Sequence, residues 1–210
     1  MFEEFYERMA NPQQKRLMKT EAGSEQDKKL SDQMLKNRTI LLSSDVTPAT
    51  AKRILEQLLV LESMDREKPI TMIINSPGGD VSSGLAIYDQ IRFIEPRVRI
   101  ICTGLTASIA TIILSAVDKK DRLTTPMSRF LLHQPLIPMD VYGPASELEI
   151  TANEILKTKE SLNGILARAT GKPIDVINED TKRDFWLSAQ EALDYGLVGR
   201  IIEHRSDLND

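Results

Sequence analysis

Beyond Arg38 the chain alternates repeatedly between a short apolar run and a stretch with helical periodicity. The runs are Thr39-Ile40-Leu41-Leu42, Ile70 to Ile74, Val98 to Cys102, Arg129 to His133 and Val198 to Ile202. Most are continuously apolar rather than apolar at every second residue, as in strands covered on both faces of a sheet. Between them, Thr47-Pro48 supplies an N-cap and a proline at the first helical position. Ala51, Ile54, Leu55, Leu58 and Leu61 then fall on one helix face. Further helices are predicted over Ser83 to Ile94, over Ser108 to Val117, and over a long span from Ser146 to Thr170 closed by Gly171-Lys172-Pro173. Short helices near Pro173 to Asn178 and Ala189 to Asp194 flank the run Phe185-Trp186-Leu187. Strands alternating with helices in this way form right-handed crossovers, so the pattern predicts an α/β fold of repeated strand–helix units.

Two regions break the rhythm. Phe2, Phe5, Tyr6 and Met9 have helical spacing, but Asn11 to Lys29 is dominated by Lys, Gln, Glu, Gly and Ser. Residues 1–36 therefore read as a mobile N-terminal arm ahead of one domain over 37–204, with a polar tail at 205–210. Leu136 to Ser146 contains Pro138, Gly143 and Pro144, and the helix after it carries Leu148, Ile150, Ile155, Leu156, Leu162 and Ile165. Those apolar positions exceed what one domain face needs. A protruding element is expected where the prolines and glycine at 138 to 144 lead into this helix, with part of its apolar face meeting a neighbouring molecule.

Composition removes several classes of function. A net charge of -4 gives no electrostatic footprint for nucleic acid. The single cysteine, Cys102, precludes an internal disulfide and reads as a small buried hydrophobe. With no CxxC or Cys/His cluster, no metal and no cofactor are expected. The acidic start, Met1 to Met9, has the features of neither a signal peptide nor a membrane span, so a cytoplasmic protein with no membrane partner is expected.

Three strand ends carry groups suited to acyl transfer. Ile74-Asn75-Ser76-Pro77-Gly78-Gly79 closes one run in a tight turn. Gly104-Leu105-Thr106-Ala107-Ser108 leads another into an apolar helix. His133 ends a third, and the only other histidine, His204, lies in the polar tail. A general base near neutral pH is most readily histidine, so a serine-hydrolase reading requires His133. Ser108 would sit at a helix N-terminus, where the N–H of Ile109 can meet an oxyanion. Glycine at Gly78-Gly79 allows a second N–H to approach. The competing reading makes Ser108 an N-cap and Pro77-Gly78-Gly79 a plain turn. The imidazole also needs an orienting carboxylate. Asp184, beside an aromatic run that would bury it in part, is one choice. Asp180 and Asp194 are the others.

At these residues the sequence resembles the proteolytic subunits of the Clp protease, ClpP, which are serine peptidases of the crotonase-like fold. The matching pieces include Ile74 to Gly79, Ile87-Tyr88-Asp89, Gly104 with Ala107-Ser108, and Ser128-Arg129 with His133-Gln134-Pro135. Thr181 with Arg183-Asp184, Leu187-Ser188-Ala189 with Glu191-Ala192, and Tyr195 to Val198 complete the set, in order over about residues 30 to 204. The resemblance implies Ser108 as nucleophile, His133 as base, Asp184 as orienting acid, and the N–H groups of Gly79 and Ile109 as oxyanion donors. It also implies a strand–helix handle at 137–159, heptameric rings stacked in pairs as a tetradecamer, and unfolded polypeptide as substrate. The implied partner is an AAA+ Clp ATPase of the ClpX or ClpA/ClpC type. The departures are specific. Ala110 stands where the family usually has glycine, and Ile137-Pro138-Met139-Asp140-Val141 replaces a glycine-rich segment. Thr71 and Ile73 replace aromatic residues of the ATPase dock. An active endopeptidase is the first reading. A weakly active ring subunit that pairs with an active paralogue in mixed rings is the second. An acyl-CoA enzyme of the crotonase fold is the third, and that chemistry has no need of serine, histidine and aspartate together.

Overall fold

The computed structural model describes residues 25–135 and 144–208, with side chains from Lys29 onward in the first stretch. The predicted arm before Glu25 and the first part of the expected handle lie outside the described residues. The chain divides into two compact units, 1–37 and 38–210.

In the first unit, α1 spans Glu25–Lys36. Residues 1–36 read as a mobile arm from the sequence, and this helix occupies the last part of that stretch. Its Glu, Gln, Lys, Leu and Met residues all have high intrinsic helix propensity. The same polar composition also resembles that of a disordered segment.

The second unit is built on a seven-stranded sheet. Its elements are β1 (Thr39–Leu42), α2 (Pro48–Met64), β2 (Ile70–Ser76), α3 (Val81–Phe93), β3 (Val98–Ala107) and α4 (Ile109–Leu114). Then come β4 (Arg122–Thr124), β5 (Arg129–Leu132), α5 (Ala145–Thr170), α6 (Ile174–Asp180), β6 (Phe185–Ser188), α7 (Ala189–Tyr195) and β7 (Arg200–Ile201). The main path runs β1-β2-β3-β4-β7, all parallel, while β5 pairs with β3 and β6 pairs antiparallel with β5. The α/β expectation is met.

Local chemistry sets the boundaries. Thr47 accepts a hydrogen bond from the Thr50 N–H, and Pro48 opens α2. Ala51, Ile54, Leu58 and Leu61 are buried on its predicted face. Ser188 and Glu191 form a capping box at the start of α7. Arg38 donates to the carbonyls of Leu61 and Asp65, holding the end of α2, where unpaired carbonyls and the negative dipole end favour a cation.

The sheet is not covered equally on its two faces. Along β2, Ile70, Met72, Ile74 and Ser76 are buried, but Thr71 and Ile73 are half-buried and Asn75 is exposed. The winding explains this. Steps from β1 to β2 to β3 all advance in one direction, so right-handed crossovers place α2 and α3 on the same face. The expected helix over Ser108 to Val117 is shorter, because Ser108 is not helical and the helix stops at Leu114. Strand β4 was not expected: three residues with arginine at the start carry too little pattern to read.

The long helix is as expected but only partly packed. Leu162, Ile165 and Leu166 are buried, whereas Leu148, Ile150 and Leu156 are 37%, 63% and 55% exposed. Its first four turns therefore extend past the core. Among the described residues no helix is long and apolar enough to cross a membrane.

Candidate active site

The strand β3 forks. Its first half, Ile100 to Cys102, pairs with β4, and its second half, Leu105 to Ala107, pairs with β5. At the end of that second half the chain turns into α4 through Ser108, whose φ is 57° and ψ -130°. Positive φ is uncommon for a residue with a Cβ and costs on the order of 1–3 kcal/mol. The Ser108 side chain makes no capping hydrogen bond, so the plain N-cap reading fails. A serine held on a strained strand-to-helix turn presents its Oγ outward. The Ser108 N–H donates to the carbonyl of Leu131 on β5 at 2.8 Å, which fixes the turn against the strand that leads to His133.

The Pro77-Gly78-Gly79 turn lies against Ser108. A Cβ on Gly78 would come within 2.6 Å of the Ser108 Cβ and 3.3 Å of the Ile109 nitrogen. Both glycines have positive φ, 98° and 146°. The turn is pinned from the other side by Val46, whose N–H donates to Gly78 and whose carbonyl accepts from Asp80, each at 2.8 Å. These two bonds leave the Gly79 N–H outside the Val46 bridge. Ile109 is the first residue of α4, so its N–H has no acceptor within the helix. The Ile109 N–H therefore lies at the Ser108 corner beside Gly78, and Gly79 is the next residue of the same turn.

Supports that the sequence did not single out hold this arrangement. Ser76 Oγ donates to the Ser44 carbonyl at 2.6 Å and accepts from the Gly78 N–H at 3.2 Å. Asn75 Oδ1 accepts from the Leu105 N–H at 3.0 Å across the register shift between β2 and β3. Both residues belong to the motif before the turn, but hydrogen bonding of this kind depends on which strand lies alongside.

His133 follows β5 directly, and Asp184 immediately precedes β6. The register pairs Leu132 with Phe185, so its continuation by one residue sets His133 opposite Asp184. The side chains are not joined. The Nδ1 of His133 lies 2.6 Å from the Gln134 carbonyl. Asp184 is exposed, against the expected partial burial, because β6 is flanked by a strand on one side only among the described residues. The rival carboxylates are engaged elsewhere. Asp180 accepts from the Tyr195 hydroxyl at 2.7 Å, and burial together with that carboxylate pushes the phenol pKa upward. Asp194 accepts from Gln190. His204 is exposed, with its N–H bonded to Asp207. Ala110, in the usual glycine position, is fully buried in α4.

Cys102 is buried at the centre of β3, and burial pushes its thiol up to about 12, so it is not a nucleophile at neutral pH. Among the described residues no three His, Cys, Asp or Glu side chains gather in a way that could hold a metal.

The chain thus places a strained serine at the end of a parallel strand, a glycine turn against it and a histidine at the end of the adjoining strand. The Clp protease family model matches residues 22–205, and the chain belongs to that family. Among solved structures, a point mutant of ClpP1 from Listeria monocytogenes is similar at 41% identity with a TM-score of 0.77. The alignment covers 85% of this chain and 99% of that one. The chain is thus of the ClpP type.

Proposed function

We propose that this protein is a serine endopeptidase that cuts unfolded polypeptides inside a ring chamber. The observation that carries the reading is the strained Ser108 turn packed against Gly78, with the Ile109 N–H at the same corner. In this mechanism Ser108 Oγ attacks the scissile carbonyl carbon while His133 takes its proton. The oxyanion is held by the N–H groups of Gly79 and Ile109. His133 then protonates the leaving amine, and water hydrolyses the acyl-enzyme with His133 again as base. Asp184 orients the imidazole, for which the His133 ring must turn from the Gln134 carbonyl toward the carboxylate.

The test is a serine-reactive fluorophosphonate applied alongside hydrolysis of an unstructured fluorogenic peptide, alone and with a candidate ATPase. Label on Ser108 and peptide turnover are expected. Absence of both under every condition would overturn the reading. The contact between His133 and Gln134 favours a second reading, a regulatory ring subunit of low intrinsic activity. In that case label and turnover appear only in mixed rings with an active paralogue.

The acid assignment can be tested separately. Asp184→Asn is expected to lower kcat by about 10⁴-fold, since the imidazole loses its orienting acceptor. Asp180→Asn is expected to lower stability by about 1 kcal/mol through the Tyr195 bond and to leave catalysis largely intact. The reverse pattern would transfer the role to Asp180.

Assembly is proposed on the same footing. The exposed apolar positions Leu148, Ile150 and Leu156 of α5 suit contact between stacked heptameric rings. Arg183 is exposed and adjacent to Asp184, which supports a role for it in linking that contact to the acid. Arg183→Ala is expected to give single rings or smaller species with little activity, read by native mass measurement beside the peptidase assay. A fully active single ring would remove the link. An AAA+ unfoldase of the ClpX or ClpA/ClpC type as partner, and a cytoplasmic location, complete the proposal. Thr71 and Ile73 in place of aromatic residues would alter how that partner docks.

A further inference from the structure

Beside the candidate site lies a polar network that the mechanism above does not use. It centres on Gln134, all three of whose polar groups besides its carbonyl are engaged. Its N–H donates to the Thr181 carbonyl at 2.8 Å. Its side-chain Nε2 donates to the Lys182 carbonyl at 3.2 Å. Its Oε1 accepts from Lys159 Nζ at 3.1 Å. One residue therefore ties the end of β5, where His133 stands, to the segment that runs through Thr181 and Lys182 to Asp184.

The helix α5 grips both sides of this junction. Lys159 and Asn163 are four residues apart and so share a helix face. Lys159 holds Gln134, while Asn163, only 2% exposed, donates to Thr181 Oγ1 at 3.2 Å and to Asn178 Oδ1 at 2.8 Å. Thr181, itself buried, donates its hydroxyl to the Ile177 carbonyl at 2.7 Å. The hydrogen bond between Gln134 and Thr181 closes the loop between the two grips. Asn163 and Thr181 are the buried part of this network and Gln134 and Lys159 its half-buried part, and their mutual hydrogen bonds favour one arrangement.

We propose that Gln134 and Lys159 are positioning residues, through which α5 fixes the separation of His133 from Asp184. The inference rests on the triad reading above. Neither residue needs to touch substrate. Lys159 fixes the Gln134 side chain, and Gln134 fixes the two strand ends against each other. The carbonyl of Gln134 also holds His133 Nδ1 in this structure, so movement of the Gln134 peptide is coupled to release of the imidazole. Because α5 extends beyond the core, a force applied to its exposed turns reaches the base through this path.

The test is a double-mutant cycle on the assembled protein. Gln134→Leu is expected to lower kcat about 100-fold and Lys159→Met about 10-fold, each with KM nearly unchanged, as for a misplacement of about 1 Å. Lys159→Arg should restore activity to within about twofold, because it keeps the donor. In the Gln134→Leu background, Lys159→Met should cause no further loss, since the lysine acts through the glutamine. Rates of fluorophosphonate labelling should fall in step with kcat, because labelling needs the base but not the peptide site. Additive losses, or a rise in KM at constant kcat, would overturn the proposal. So would an unfolded Gln134→Leu protein combined with full activity in Lys159→Met. The wild-type assay separates the two levels: an inactive, unlabelled wild type removes the triad reading itself, whereas an active wild type with indifferent variants removes only this one.

Discussion

Replacing Ser108 by alanine is expected to lower peptide hydrolysis by about 10⁵- to 10⁶-fold and to abolish fluorophosphonate labelling. Ser108→Gly should be equally inactive, yet more stable than the parent. At a φ of 57° the serine backbone costs on the order of 1–3 kcal/mol, which glycine avoids. The added freedom of glycine in the unfolded chain takes back about 0.4–1 kcal/mol. The balance favours the folded variant by about 1 kcal/mol, which for a chain of this length raises Tm by about 2–4 °C. Thermal unfolding of the two inactive variants, measured together, checks this. A lower Tm for Ser108→Gly than for Ser108→Ala would show that the turn stores no strain, and turnover in either variant would move the nucleophile elsewhere.

The second large effect is expected at Gly79. A Cβ there would lie 2.3 Å from the Val46 carbonyl oxygen, and the residue has a φ of 146°. Both the strain and the overlap oppose alanine, and the overlap is with backbone that is itself hydrogen-bonded on both sides. Gly79→Ala should therefore displace the whole turn. Loss of an oxyanion donor alone lowers kcat about 10²- to 10³-fold, and Tm should fall by several degrees. Gly171→Ala is the control. Its φ is 78°, but no atom lies within 4 Å of the added methyl. It should show strain of about 1 kcal/mol with unchanged kcat. Equal losses of activity at the two positions would mean that the Gly79 effect is one of stability alone.

The sequence made the strand–helix order legible because capping and burial act over a few residues. Thr47-Pro48, the face of α2 and the apolar cores of β1 to β3 are all local signals. What it could not reveal depends on neighbours distant in the chain. The unequal cover of the sheet follows from the direction of winding, and no single strand records that. The exposure of Asp184 follows from the edge position of β6, whereas the aromatic run beside it suggested burial. Gln134 illustrates the same limit. Its place in His133-Gln134-Pro135 was evident, but its bonds reach Lys159 and Lys182, residues about 25 and 48 positions away. The strain at Ser108 was likewise invisible, since nothing in Ala107-Ser108-Ile109 requires a positive φ.

The forked course of β3 has a consequence for control of the reaction. The proposed nucleophile and oxyanion donors lie at the junction of β2, β3 and α4. The proposed base and acid flank a two-stranded ribbon, β5 and β6, which pairs with the main parallel sheet along Leu105 to Ala107 and is tied to the Ser108 turn through Leu131. On that proposal, carbonyl recognition and proton transfer are carried by different parts of the sheet, joined through Leu105 to Ala107 and the bond from Ser108 to Leu131. Tilting the ribbon by about 1 Å would slow turnover about 100-fold while leaving the recognition half intact. On the proposed mechanism, such a subunit would be silenced and restored without dismantling the Ser108 corner, and a tightly bound peptide would then be held rather than cut.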